Sequence, residues 1–488
     1  MKNAGDSVNE AGGAGPEESR ESTKESISAI QENLEAIVVA VILALIIRHF
    51  AMEAFVIPTG SMAPTLLGQH HVVRNEKTGR SFAVDQVPGG GFTARDPLTG
   101  DRISVDSSFS EDHAVWTRDI LMRRTPLHGG NKILVNKLVY RFGEPERWDV
   151  IVFKYPQDPT RNFIKRLVGL SGETLSIKYG DVFINGKREV KPDDVQRELW
   201  FPVYDQNIPV RPEDPALWDP DSKGRWGLRR RGTGGEAMIK DLGLGSIGAN
   251  AFIAAKGPRR TRMRLDRRLD DYYAYNPVSR TDKGSSSSGE RTVADLRIDA
   301  TVTAPAEGGP VQLGLKENGQ SLVLTLPCGG GEATLERVGE GPLGAVRKVL
   351  SGVSLEPGRA VPVSLQWFDR RAIVTVDGAE VLRWDDPSEK TSLLNSGVWI
   401  EAPKQGAAFE NVAVYRDIVY YAQEFRGKDV IVDQSIPQIE IPEGAFFAMG
   451  DNAPNSSDGR VWGYVRRGHM VGRAFVVFWP PTEIRLIR

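Results

Sequence analysis

Cysteine is almost missing from this 488-residue chain: Cys328 stands alone. No intramolecular disulfide can form, and a Cys/His zinc cluster is excluded with it. The six histidines are scattered without pattern. There is neither a GxSxG elbow nor an HExxH motif, so hydrolase-fold and zinc-peptidase readings lack their residues. An excess of one charge is missing too: the formal net charge is −2, which gives no reason to expect nucleic acid as a partner. Long hydrophobic runs are scarce. The longest, AIVVAVILALII at 36–47, falls short of the roughly 20 residues of a spanning helix. It starts late, behind an acidic tail, which suits an uncleaved anchor better than a cleavable leader.

What is present divides along the chain. Residues 1–30, rich in Gly, Ser, Glu and Asn, read as a disordered tail. Residues 31–57 are expected to form a single transmembrane anchor, Arg48 snorkelling to the interface, with a soluble core helix as the alternative. Flanking charges do not orient it. Pro58 and Pro64 break any helix, so TGSMA between them is a turn or extended segment within a first piece, 58–73. Residues 74–130, polar and rich in Gly and Pro, read as an insertion with little core of its own. In 131–195, KILVNKLVY, DVIVFKY, FIKRLVGL and DVFINGK carry β patterning between turn signals. Residues 196–290 read as an irregular, basic insertion ending in GSSSSG at 284–289. Residues 291–418 hold strand-like runs at the spacing of a sandwich, and 419–488 return to the character of 131–195. The expected fold is therefore mainly β: an anchor helix, then one β domain discontinuous in sequence, with a β-sandwich inserted through it.

A serine hydroxyl is a poor nucleophile without a base. Lys165 lies in the apolar setting Phe163-Ile164-Lys165-Arg166-Leu167-Val168. A lysine there either points outward from a half-exposed strand or is buried neutral. In the buried case, desolvation and the neighbouring Arg166 both disfavour its charged form. Four segments then bear a likeness to a known family. PTGSMAPTL at 58–66 resembles the catalytic-serine box of bacterial type I signal peptidases, and RWDVIVFKYP at 147–156 the box that follows it. NFIKRLVGLSGE at 162–173 is similar to the Lys–Arg box, and GDNAPNSSDGRVWGYV at 450–465 to the last one. They stand in the family's order, followed by GRAFVVFWPP, and the likeness covers about 32–68, 130–195 and 430–488.

The resemblance implies a Ser–Lys dyad, with Ser61 as nucleophile on a turn that Gly60 permits and Lys165 as neutral general base. It implies Thr59 and the Ser61 backbone N–H at the oxyanion, Ser456 holding the lysine amine, and an Asp458–Arg460 bridge bracing the site. Asp149 and Arg166 read as structural. Ile57, Met62, Leu66 and Ile164 are the expected lining of shallow pockets for small residues before the cut. No metal or cofactor is expected. Departures from the family pattern are Trp148 where a glycine is usual, Glu173 after Gly172 where an aspartate is usual, Ala453-Pro454, and Gly459.

The expected partners are precursors bearing signal peptides and the lipid bilayer, with the catalytic domain on the extracytoplasmic side of the cell membrane. The 291–418 segment resembles laminin-G or concanavalin-like domains, which leaves open a glycan or protein ligand or a spacer role. Trp367, Trp384 and Trp399 are either sugar platforms or core. Residues 223–268 hold thirteen Lys and Arg against three acidic residues, either a solvated face or a contact for anionic headgroups. Two rival readings are a self-cleaving repressor of the same dyad type, whose DNA-binding module this chain lacks, and a catalytically idle anchored binding protein.

Overall fold

The computed structural model describes residues 31–488 apart from 32, 44, 46–49, 87–91, 106–126, 209–216, 268, 272–274, 278–291, 306, 318, 340–343, 389, 391–394 and 421–434. The expected tail at 1–30, Arg48 and the GSSSSG run lie outside the described residues.

The site is carried by an eight-stranded antiparallel sheet. Its order is Met52–Val56, Lys132–Asn136, Met470–Trp479, Val150–Tyr155, Asp158–Gly169, Ala445–Met449 and Val465–Arg466, with Arg485–Leu486 paired off Met470–Trp479. Alternating and clustered β-branched residues explain the strands, and burial explains their order. The last six residues of Asp158–Gly169, Ile164 to Gly169, are all buried, because apolar clusters cover both faces of the sheet there. A four-stranded sheet of Thr174–Lys178, Asp181–Ile184, Lys187–Arg188 and Ser435–Glu440 packs alongside.

The anchor boundary at 57 is corrected by this sheet. Residues 33–43 are helical, with Ile37, Val38, Val39, Val41, Ile42 and Leu43 exposed, but Met52–Val56 is a strand paired with Lys132–Asn136. Its side chains alternate in exposure, and Glu53 pairs with Lys137 at 3.1 Å, so period two prevails over helix there. Among the described residues no helix is long and apolar enough to cross a membrane.

Two further expectations change. Residues 74–130 are not coreless: strands Ser81–Asp85, Phe92–Arg95 and Arg102–Val105 enclose Val73, Val84, Phe92, Ala94 and Val105. Asn75 cross-links them through its amide to Asp96 at 2.7 Å and Asp101 at 3.0 Å. Residues 196–290 are not irregular either. Phe201–Asp205, Trp226–Arg229 and Ala251–Ala254 join one sheet of the sandwich, and Trp218–Pro220 and Thr261–Leu265 the other. The sandwich therefore begins at Phe201, not at 291. Its eight- and seven-stranded sheets close on one core that includes Leu296, Ile298, Leu313, Leu324 and Phe409.

Of the two readings of the tryptophans, core holds for Trp367 and Trp399, and protein groups cover all three rings. Trp399 is 6% exposed, with the Arg262 guanidinium 3.7 Å over its ring. Trp367 is 3% exposed and donates to Glu317 at 3.0 Å, and Trp384 packs against Trp367 and the Lys348 ammonium. Arginines of the basic stretch are likewise engaged. Arg262 pairs with Glu401 at 2.8 Å, Arg225 donates to the Ala255 carbonyl at 2.6 Å, and Arg267 donates to Leu98 and Val203 carbonyls at 3.0 and 2.9 Å.

The insertion meets the β domain through a buried ionic joint. Lys390 of the inserted unit bridges Asp181 at 2.5 Å and Asp295 at 2.7 Å. Lys191 of the β domain bridges Asp369 at 2.6 Å and Asp417 at 2.9 Å. Asp181, Asp295 and Asp369 stand close enough together to resemble a metal cluster, but the two ammonium groups occupy their oxygens. Burial raises the Asp181 carboxyl, and Lys390 opposes the shift.

Candidate active site

Ser61 sits in the middle of a single 3-10 turn, Gly60–Met62, which Ala63 closes through its N–H to the Gly60 carbonyl at 3.0 Å. Thr59 precedes the turn in extended backbone, exposed, and makes no capping hydrogen bond with its hydroxyl. Glycine at 60 is demanded by space: a Cβ there would stand 2.2 Å from the Tyr275 ring. Gly450 is demanded in the same way, since its Cβ would meet Ser456 Oγ at 2.2 Å and the Ser61 carbonyl at 2.4 Å.

Lys165 lies opposite Ile151 in the sheet, on the fully buried half of its strand. Its Nζ is 2.6 Å from Ser61 Oγ and donates to the Ile164 carbonyl at 2.8 Å. The residue is 3% exposed and Ser61 9%. Burial pulls the lysine down to about 8; Asp458 and Asp451 oppose the shift and Arg460 assists it. The assisting cation is thus Arg460, not Arg166. Arg166 is spent on Asp451, to which Nε and Nη2 both donate at 2.9 Å. A neutral amine offers one lone pair, so an amine tied to a carbonyl acceptor can take the Ser61 proton.

The supporting residues fall into two groups. Asp458 accepts from Arg460 Nε at 2.8 Å and Nη2 at 2.7 Å, and from the Gly450 N–H at 3.0 Å. Burial alone would raise its carboxyl, and Arg460 holds it below the usual range. Ser456 is brought beside Ser61 but its buried hydroxyl has no hydrogen-bond partner, so the expected contact with the lysine amine is not made. Asp149 accepts from Tyr140 at 2.9 Å and pairs with Arg473 at 3.0 Å, away from the dyad. Ile57, Met62 and Leu66 are enclosed in the core under the turn, not arrayed along an open cleft; Ile164 shares that cluster at its border.

Trp148 shows what one departure costs. Its φ is +74°, a left-handed conformation in which a non-glycine residue is strained by about 1–3 kcal/mol. The indole is buried in the second core and its carbonyl accepts from Arg166 at 3.0 Å, so packing offsets the strain. Glu173 replaces the shorter aspartate by reaching Arg147 in a two-bond pair at 2.9 and 2.6 Å.

Sequence reasoning missed Asp451, Asn452, Asn455, Asp85, Tyr275 and Asn276. Asn452 donates to the Gly60 carbonyl through Nδ2 at 2.9 Å and to the Ser61 carbonyl through its N–H at 3.1 Å. The segment GDNAPN at 450–455 was the available signal for Asp451, Asn452 and Asn455; nothing local marks Asp85, Tyr275 and Asn276.

The sequence matches the family described as signal peptidase, peptidase S26, over residues 30–115, 121–200 and 390–479, leaving 201–389 unmatched between the last two. Signal peptidase I of Aquifex aeolicus (strain VF5) is 56% identical over 46 residues, 9% of this chain and 18% of that protein. Signal peptidase I of Pseudomonas fluorescens is 31% identical over 146 residues, 30% of this chain and 34% of that protein, so about a third or less of either relative is spanned. Among solved structures, the carbohydrate-binding module CBM66 from Bacillus subtilis is similar with a TM-score of 0.25 and 10% identity, over 41% of this chain and 96% of that one.

Proposed function

The chain belongs to the signal peptidase family, peptidase S26, and on that premise we propose that it is a membrane-bound serine endopeptidase removing signal peptides from exported precursors through a Ser61–Lys165 dyad. One observation carries the reading: a buried lysine, lowered to about 8, lies 2.6 Å from the hydroxyl of a serine held on a tight turn. In the proposed reaction Lys165 takes the Ser61 proton as Oγ attacks the scissile carbonyl, then returns it to the leaving amine. The Ser61 N–H and the Thr59 hydroxyl would receive the oxyanion. Asp458, Arg460 and Ser456 would shape the lysine's surroundings.

Membrane anchoring is supported by the exposed apolar helical residues 33–43, which precede the first strand by few residues. Such an arrangement holds Ser61 near the bilayer surface, where the end of a signal peptide emerges, and raises its effective concentration. For the inserted sandwich, a glycan or protein ligand would find room in a cavity of about 230 Å³ that includes Tyr204, Trp218, Trp226 and Asn250 in its wall.

The test is cleavage of a precursor with an Ala-x-Ala site by the purified chain. Ser61→Ala and Lys165→Ala should each lower kcat by at least about a thousandfold. Wild-type cleavage by either variant refutes the dyad.

A further inference from the structure

We infer that Tyr275 and Asn276, carried by the inserted unit, are positioning residues for the reaction at Ser61, so that the insertion is a working part of the active site. The inference rests on the peptidase reading above. Both residues lie in the stretch outside the family's share of the chain, and both are buried against the serine turn, 2% and 3% exposed.

The turn has a single internal bond, from the Ala63 N–H to the Gly60 carbonyl, and its carbonyls take further donors from outside. Asn452 holds those of Gly60 and Ser61, but an amide side chain can rotate and present oxygen where nitrogen is needed. Asn276 prevents that. Its Nδ2 donates to Asn452 Oδ1 at 2.9 Å, and its Oδ1 accepts from Asn452 Nδ2 at 2.9 Å. Rotating both amides together would preserve this pair and set Asn452 Oδ1 against the Gly60 carbonyl. Asn455 blocks that alternative by donating to Asn276 Oδ1 at 3.3 Å, and its own amide is oriented by donating to Asp85 Oδ2 at 3.0 Å. A carboxylate only accepts, so the direction of every bond in the chain follows from Asp85. Burial raises that group to about 6, which leaves it ionised at the pH where Lys165 is neutral.

Tyr275 clamps the same loop. Its carbonyl accepts from the Asp85 N–H at 2.9 Å, its hydroxyl donates to the Gln69 carbonyl at 3.1 Å, and its ring occupies the space a side chain at 60 would need. Residues of the insertion therefore fix where the nucleophile-bearing turn sits relative to the lysine, and a small displacement of such a turn costs rate more than binding.

The experiment compares the full chain with Asn276→Ala and Asn276→Asp on the Ala-x-Ala precursor, reading kcat, KM and the melting temperature. Asn276→Ala should lower kcat about 10- to 100-fold, with KM changed less than about twofold and melting nearly unchanged. Asn276→Asp keeps the Oδ1 acceptor but sets an oxygen against Asn452 Oδ1 where the amide had donated, so its kcat should fall at least as far as that of Asn276→Ala. Wild-type kcat in Asn276→Ala overturns the inference alone, as does a loss explained entirely by an unfolded fraction. Should Asn276→Ala not fold, wild-type kcat in Asn276→Asp overturns it instead. A wild-type chain that cleaves no faster than Ser61→Ala overturns the peptidase reading and this inference with it.

Discussion

At the scale of the residue, the tuning of Lys165 is a balance between removal from water and the unequal charges around it. Burial favours the neutral amine, two carboxylates favour the ammonium, and Arg460 adds a repulsion that favours the neutral form again. Activity that needs the neutral amine should rise with pH through about 8. Arg460→Gln removes the repulsion and leaves Asp458 without its partner, and both changes raise the lysine. The acid limb of kcat/KM should move alkaline, with roughly tenfold less activity at neutral pH for each unit moved; an unmoved limb in a pH profile contradicts this account. Ser61 and Lys165 were legible through the resemblance of PTGSMAPTL and NFIKRLVGLSGE to two family boxes, since apolar neighbours alone left the lysine either exposed or buried. Asn276 was not, since an asparagine in a loop is ordinary and its partners Asn452 and Asn455 lie more than 170 positions away.

At the scale of the element, legibility followed how densely apolar residues cluster along the chain. Lys132–Asn136, Val150–Tyr155 and Asp158–Gly169 carry enough apolar residues for pattern to speak. Trp218–Pro220, Trp226–Arg229, Ala251–Ala254 and Thr261–Leu265 are short and set among glycines and arginines, which break the pattern on either side. Ala251–Ala254 and Thr261–Leu265 pair with the long strands Ala407–Arg416 and Ser396–Ala402 and carry Trp226–Arg229 and Trp218–Pro220 on their outer edges, which supplies what local pattern does not. Cross-strand fit in the sandwich is tight where Gly314 faces Trp399 in register, a Cβ at 314 falling 2.0 Å from the indole. Gly314→Ala should therefore cost about 1–3 kcal/mol of stability in a denaturant titration, while cleavage at moderate temperature stays close to wild type.

For the whole molecule, the joint between β domain and insertion sets a buried ionic network beside apolar contacts, such as those of Trp148 and Leu175 with the cluster that holds Val293 and Ile418. Four buried carboxylates face two buried ammonium groups and the half-buried Arg188 guanidinium. Lys390→Met keeps the length of the side chain but leaves Asp181 and Asp295 uncompensated, and should destabilise the protein by about 3–5 kcal/mol in thermal denaturation; an unchanged melting temperature would show that the joint contributes little. A discontinuous domain was legible from four motifs split by foreign sequence, whereas this joint was not, because its charges are scattered from 181 to 417 and only the fold collects them. The strand Met470–Trp479 lies inside the main sheet, flanked by Lys132–Asn136 and Val150–Tyr155. A nascent chain that has emerged only as far as the sandwich therefore has a gap in the middle of its central sheet. The ribosome must reach Trp479 before those neighbours can be joined, so a copy that stops short of it should remain inert whatever its serine and lysine have already done.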